Sequence, residues 1–330
     1  MKNKRNVTIV DIANMANVTN ITVSRAFNKP EQVKPETREK ILSIAKQLNY
    51  VPNAFARNLK NNQSKIIGVV TNSTFNPVYS IILKKLSLMA DKKGYTVMIF
   101  ETNGSEEVES RAINTLFSHK ASAILLSVVL DKEGYTPEYL ELANTYQIPI
   151  VLFDRDIPGS NLPGVFLNNI EIGVRSGKFL AKKNHSSFLI IGGPNESEIT
   201  QDRISGLLGG LRIENEHISI INSDYSYDEA YPTIYKAIQS LTNMPDCIVG
   251  INGMISMAIL KSLQELGKKE VFVFSIDDMP YADVYGTKIP CISNHPLDWA
   301  EAVGKLIFDT INGTVSTRRV YIDSTLKEYD

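Results

Sequence analysis

The sequence predicts an all-α headpiece built on a helix-turn-helix, a short hinge helix, and an α/β body of two lobes, each a doubly wound parallel sheet. Three observations predict it. The 330 residues exceed what one compact core holds, so two or more domains are expected. The first 65 residues carry 12 of the 35 Lys/Arg but only 4 of the 36 Asp/Glu, a net of +8; the other 23 bases and 32 acids give −9. Beyond residue 65, short apolar runs alternate with amphipathic helical windows, the pattern of strands joined by crossover helices. A small basic head on an acidic body points to a polyanion at the head alone, with a solvated surface as the bland alternative.

The composition, 43% hydrophobic and 22% charged, is that of an ordinary globular protein. Cys247 and Cys291 both lie in apolar strand-like runs and read as buried reduced thiols, which suits a reducing cytoplasm. The opening MKNKRNVTIVDIANMANV has a basic tip but no apolar core of signal-peptide length, and no run approaches a membrane span. The expectation is a cytoplasmic protein without a membrane partner.

Residues 1–52 form the expected headpiece. Thr8 suits an N-cap with Asp11 three residues on, and Ile9, Ile12, Ala13 and Ala16 recur at helical spacing. Asn17 tolerates the left-handed backbone of a tight turn, and Thr19 caps a second helix, Asn20 to Asn28, with Val23 and Ala26 or Phe27 inward. Pro35 opens a third helix whose core face is Ile41, Ile44, Ala45 and Leu48, with Asn49 at its end. Two short helices joined by a three-residue turn and braced by a third describe a helix-turn-helix. Residues 53–65 read as a hinge helix and linker: Asn53 to Lys60 is helical in composition, too short to be stable alone, and polar residues follow.

The runs TIVDIA (8–13), ANVT (16–19) and TVSR (22–25) with Asn28, then TREKI (37–41) and LNYVPNA (48–54), resemble the lactose-repressor (LacI/GalR) family. Asn17 stands where that family usually has Gly. The resemblance implies that the second helix enters a major groove. Arg25 would then read guanine, Asn20 adenine, and Ile21 a thymine methyl, Ile21 otherwise being an inward core residue. Thr8, Thr22, Ser24 and Asn28 would hold phosphates. It also implies that Asn53, Ala56, Arg57 and Lys60 of the hinge join the DNA-contact set. Leu59 would wedge between base pairs in the minor groove, unless it packs on the body. The reading head is similar to that of gluconate-utilisation repressors.

In the body, apolar runs at 66–71, 96–100, 123–129, 150–153, 165–167, 188–191, 247–251 and 271–276 are separated by helical windows near 78–92, 106–118, 138–146, 170–183, 199–214, 228–241 and 254–266. So many strands would overload one sheet, so two lobes with a ligand cleft between them are expected. The segments FNPVY (75–79), FDR (153–155), GGP (192–194) and RISG (203–206) resemble, in order, the sensor domain of the same family, as do Asn252, Asp277-Asp278 and His295-Pro296. That domain is related to periplasmic sugar-binding proteins. The resemblance implies three crossings between lobes, giving lobe 1 residues 66–159 and 292–319 and lobe 2 residues 160–291 and 320–330. It also implies an effector site in which Arg203, Asn252 and Asp277 bond hydroxyls and Phe75, Tyr79, Tyr225 and Leu297 form walls, with Ser127 and His295 alongside. A guanidinium fork, an amide and a carboxylate suit a polyol. Bland roles compete at three of these positions: Arg203 in an ion pair across the cleft, Asp277 as a cap, His295 as a crossing residue. Gly253 replaces the family's usual Asp, and Ser275-Ile276 a common Gly-aromatic pair.

An enzyme is disfavoured. Asp277 and Asp278 are adjacent, so on a strand they face opposite ways, and no strand is followed by a phosphate-binding glycine motif or a nucleophile elbow. Four scattered His (119, 185, 217, 295) and two Cys make no metal pattern, so no metal or cofactor is expected. The expected partners are a pseudo-palindromic double-stranded DNA operator, a second copy of the chain, and a small effector, a sugar or sugar acid with a purine as the alternative. Repression of a carbohydrate-utilisation operon is the expected output. A phosphorylated carrier protein as co-regulator is disfavoured, because the matching stretch Leu297–Leu306 offers only Lys305 as a base. The absence of leucine heptads after Ile322 disfavours a tail-mediated tetramer. A sugar-binding protein without a regulatory role is the remote alternative.

Overall fold

The computed structural model describes residues 7–51, 64–212, 217–268, 270–279, 282, 284 and 286–329. The chain divides into two compact units, Met1–Gln63 and Ser64–Asp330.

The first unit begins with a capping box. The Thr8 hydroxyl accepts the Asp11 N–H at 3.4 Å while the Asp11 carboxylate accepts the Thr8 N–H at 2.7 Å, closing the open end of α1 (Ile9–Ala16). Asn17, at φ 56°, ends that helix in the left-handed conformation. The Thr19 hydroxyl then accepts the Thr22 N–H at 3.2 Å to start α2 (Asn20–Asn28). A single 3-10 turn, Pro30–Gln32, leads to α3 (Pro35–Gln47), where Pro35 fills the first position that needs no donor. α3 stops two residues before the expected Asn49, which instead forms a left-handed turn at φ 50°. Ile12, Val23, Ala26 and Ile41 meet in a dry core, flanked by Phe27 and Tyr50 with ring centroids 5.9 Å apart. The hinge positions Asn53, Ala56, Arg57, Leu59 and Lys60 lie outside the described residues.

The second unit opens with β1 (Ile66–Thr71), α4 (Pro77–Lys92), β2 (Thr96–Glu101), α5 (Glu106–Ser118), β3 (Ala123–Leu126), α6 (Tyr139–Tyr146), β4 (Ile150–Phe153) and β5 (Gly164–Leu167). The second lobe follows with α7 (Asn169–Leu180), β6 (Phe188–Gly192), α8 (Glu198–Leu211), β7 (Ile218–Asn222), α9 (Tyr227–Ser240), β8 (Cys247–Gly250), α10 (Gly253–Glu265), β9 (Phe272–Ile276) and β10 (Cys291–Ser293). The chain then runs through α11 (Pro296–Asn312), β11 (Arg319–Ile322) and β12 (Thr325–Lys327).

Two six-stranded sheets result, ordered β11-β5-β4-β3-β1-β2 and β12-β10-β9-β8-β6-β7. All pairings are parallel except β10 with β12. Strand alternation decides which helix covers which face. Ile150 and Leu152 of β4 face α5 and α6, whereas Val151 and Phe153 join the core with α4 and α11. Both cysteines are buried and free, as their apolar surroundings suggested.

The lobe boundaries need correction. β5 was expected in lobe 2, but Leu152 and Phe153 pair with Gly164 and Val165, and β11 continues the same sheet. β10, expected in lobe 1, pairs with Ser275 and Ile276 of β9 in the second sheet. β4 and β5 are parallel neighbours joined by a loop without a helix, so the boundaries carried over from the resemblance fell one strand too early. The three crossings fall at Leu167–Asn169, Ser293–Pro296 and Ile322–Thr325. Strands β7, β10, β11 and β12 were not predicted; all are short and three are edges.

Candidate functional site

In the headpiece, α2 splits cleanly into two faces. Val23 and Ala26 are buried, while Asn20, Ile21, Arg25 and Asn28 are exposed. Ile21 is 58% exposed, which removes its inward alternative. Thr22 and Ser24 sit on the flanks of that face, their hydroxyls within hydrogen-bond distance of Thr19 and Asn28 respectively. Thr8 lies at the open end of α1. The outer face therefore presents an amide, an aliphatic tip and a guanidinium, the groups that distinguish base edges in a major groove.

In the second unit, a cavity of about 150 Å³ opens at the carboxyl ends of the strands, with walls from both lobes. Each lobe places an aspartate directly after a central strand in the left-handed conformation: Asp154 after β4 at φ 66° and Asp277 after β9 at φ 87°. Non-glycine residues hold such backbone only where surrounding contacts enforce it, and such positions concentrate at functional sites.

Those contacts are specific. The Tyr79 hydroxyl donates to Asp154 and lies 3.1 Å from the Ser127 hydroxyl, while the Tyr79 ring meets Phe153 edge-on. Burial and the neighbouring Asp154 carboxylate push the Tyr79 hydroxyl well up, keeping it a donor. In the other lobe the Arg203 guanidinium donates to Asp277 at 2.9 Å, to the Ile251 carbonyl at 2.6 Å and to Asn169 Oδ1 at 2.9 Å. Burial outweighs the guanidinium and pushes the Asp277 carboxyl up to about 6. The Asn294 amide also donates to Asp277. Asn252 caps α10 through Oδ1, accepting the Ile255 N–H at 2.7 Å, and its amide donates to the Tyr225 carbonyl at 3.0 Å.

Glycines explain how these groups come together. A Cβ on Gly193 would lie 2.4 Å from the Tyr225 ring, so this glycine seats an aromatic wall. A Cβ on Gly253 would lie 2.3 Å from the Asp278 carbonyl, so the family's usual aspartate does not fit at this position. Helices α7 and α8 touch backbone to backbone: Cβ atoms on Gly173 and Gly206 would lie 2.4 and 2.2 Å from the Arg203 and Ile170 carbonyls. That approach sets Arg203 beside Asn169.

Of the expected effector residues, Phe75, Tyr79, Arg203, Tyr225, Asn252 and Asp277 line the cavity. Ser127 stands behind the wall, bonded to Tyr79. His295 and Leu297 do not line it. His295 begins α11 with its ring 3.1 Å from the Thr325 hydroxyl, and Leu297 is 72% exposed. Helical periodicity is the reason: once Pro296 starts the helix, Trp299 and Ala300 turn inward and Leu297 outward. Asn294 and Trp299 take their place on the wall, with Arg155 and Asp154 from the end of β4. The Arg155 guanidinium donates to the Val129 carbonyl at 2.7 Å and lies 5.1 Å from the centre of the Tyr225 ring, reaching from one lobe to the other. Among the described residues no group of acids, His and Cys is arranged to hold a metal ion, and no helix is long and apolar enough to cross a membrane.

A helix-turn-helix followed by a two-lobed domain with a polar cleft defines a ligand-responsive DNA-binding regulator. Residues 8–53 match the family of bacterial regulatory proteins named for lacI, and residues 67–282 match the periplasmic binding protein domain. The chain is 25% identical over 321 residues to the transcriptional repressor PurR of Vibrio vulnificus, covering 95% of each. It is 29% identical to catabolite control protein A of Staphylococcus epidermidis, over 80% of this chain and 79% of that one. The lac repressor dimer bound to operator and the anti-inducer ONPF superposes with a TM-score of 0.80 at 21% identity, covering 98% of each chain. The chain belongs to the lacI family of bacterial regulatory proteins. It is a DNA-binding transcriptional regulator with an effector-binding domain, in a family of regulators rather than enzymes.

Proposed function

We propose that the protein is a cytoplasmic homodimeric repressor of a carbohydrate-utilisation operon. It reads a pseudo-palindromic operator through α2 of each subunit, and a sugar or sugar acid in the cleft tunes its affinity. The observation that carries the reading is the ring of Asp154, Arg203, Asn252 and Asp277 around a cavity with aromatic walls. Carboxylates accept from hydroxyls, guanidinium and amide donate to them, and aromatic faces cover the apolar side of a sugar ring. On the DNA side, Arg25, Asn20 and Ile21 carry base readout while Thr8, Thr22, Ser24, Asn28 and the hinge residues position the backbone.

The effector half is tested by thermal shift of the full chain against sugars, sugar acids, sugar phosphates and purines. One compound class should raise the melting temperature by mass action, and Arg203→Ala should remove the shift. If no compound raises it, the cleft is not an effector site.

A further inference from the structure

Among the described residues, three buried polar atoms on residues lining the cleft have no hydrogen-bond partner: the side-chain oxygen of Asn72, the indole N–H of Trp299 and the side-chain oxygen of Asn294. Asn72 follows β1, whereas Asn294 and Trp299 sit on one segment, just after β10 and in the first turn of α11, where the chain crosses between lobes. Trp299 is 2% exposed, so its indole is held almost wholly within the protein against the cavity. A buried indole ordinarily finds an acceptor, and an unpaired buried donor is destabilising. The Asn294 amide nitrogen is committed to the Asp277 carboxylate, which orients the side chain so that its oxygen is the free group.

We propose that Trp299 and Asn294 are the specificity pair of the effector site. The effector gives an oxygen to the Trp299 N–H and a hydroxyl hydrogen to Asn294 Oδ1. This rests on the effector reading above and narrows the ligand to one whose contacted face carries neutral hydroxyls. A hydroxyl both accepts and donates, whereas a carboxylate or phosphate in that place has no hydrogen for Asn294. The cations agree. Arg203 pairs with the Asp277 carboxylate, so its charge is matched before any anion arrives, and Arg155 donates to the Val129 carbonyl and lies over the Tyr225 ring. Neutral sugars are therefore preferred over the corresponding acids and phosphates.

Trp299 is the sole tryptophan of the chain, so emission excited at wavelengths too long for the 14 tyrosines to absorb reports on this ring alone. The full chain is screened by thermal shift against ribose, glucose, galactose, cellobiose, gluconate, fructose 1-phosphate and guanine, and emission is titrated with each compound that stabilises it. The expected binder is a neutral sugar that shifts the emission. Trp299→Phe, which keeps an aromatic ring and removes the donor, should weaken it about three- to tenfold, the range of one neutral hydrogen bond. Asn294→Ala should weaken it by a similar factor, and deoxy analogues lacking the contacted hydroxyl should bind native and variant proteins alike. A binder with equal affinity for the native protein and both variants, leaving the emission unchanged, overturns the pair while the effector reading stands. Gluconate or fructose 1-phosphate binding more tightly than every neutral sugar also overturns it. No stabilising compound overturns both readings.

Discussion

Asp131, on the loop that follows β3 in the first lobe, accepts a 2.8 Å hydrogen bond from the Ser197 hydroxyl at the start of α8 in the second. The same carboxylate accepts the Ile199 N–H at 3.3 Å, and the Asp131 carbonyl accepts the Glu198 N–H at 3.2 Å. One lobe thus caps a helix of the other, where open N–H groups and the helix dipole favour an anion. The loop is itself pinned, because the buried Glu109 carboxylate accepts the Val129 N–H at 2.6 Å and the Tyr139 hydroxyl at 2.8 Å.

Asp131→Ala should therefore lower stability by about 1–2 kcal/mol, the worth of a lost cap and its buried hydrogen bond. Urea unfolding measures this. An unchanged midpoint with an unchanged slope means that the latch contributes nothing to holding the lobes together.

Gly173 and Gly206 let α7 and α8 approach until backbone meets backbone. Gly206→Ala places a methyl 2.2 Å from the Ile170 carbonyl, and backbone cannot yield as a side-chain tip can. The expected cost is about 3 kcal/mol or more, with weakened effector binding because Arg203 moves with α8. Gly209, whose Cβ position meets nothing within 4 Å, is the control, and Gly209→Ala should be neutral or mildly stabilising. Equal behaviour of the two variants contradicts the close-contact account.

Burial pushes the Asp277 carboxyl up to about 6 even beside Arg203. A folded pKa above the unfolded value of about 3.9 means stability fully present below pH ~4 and lost as pH rises through 6. Asp277→Asn does not titrate, so its stability relative to the native protein should rise by up to about 3 kcal/mol between pH 4 and 7. Thermal or urea unfolding of both proteins across that range gives the answer. A difference moving the other way means that Arg203 dominates and the carboxyl lies below its usual range.

Gly253 stands where the family usually carries Asp. Gly253→Asp should fail to restore any family-like contact and should instead push the Asp278 backbone away from α10, destabilising the second lobe by about 1–3 kcal/mol. A stable Gly253→Asp protein with tighter sugar binding reverses this reading.

The headpiece was legible because its signals are local. Thr8 with Asp11 and Thr19 each cap a helix, Pro35 opens a third at its first position, all by chemistry confined to four residues, and Asn17 takes the left-handed turn that its side chain tolerates. The central strands were legible for a related reason, since strands buried on both faces read as continuous apolar runs. What failed was non-local. β5 looks like any apolar run, and only its hydrogen bonds to β4 and β11 assign it to the first sheet. At the site, His295 and Leu297 were carried over from motif order, whereas the phase of α11 puts Trp299 on the wall. That phase was readable, because Trp299, Ala300, Val303, Leu306 and Ile307 recur at helical spacing. Arg155 was flagged only as part of the FDR run and without a role, and Asp131 and Glu109 had no sequence signal, because each depends on carbonyls and N–H groups that folding brings together.

The most direct test of the account is selection of the full-length protein, and of its Arg25→Ala variant, on a pool of random DNA duplexes at fixed salt. The native protein should enrich a pseudo-palindrome of two half-sites. Arg25→Ala should lose preference at one base pair in each half-site, at about 1–3 kcal/mol, while retaining salt-sensitive general binding. Enrichment of no sequence, or identical enrichment by both proteins, contradicts the assignment of α2 as the reading helix.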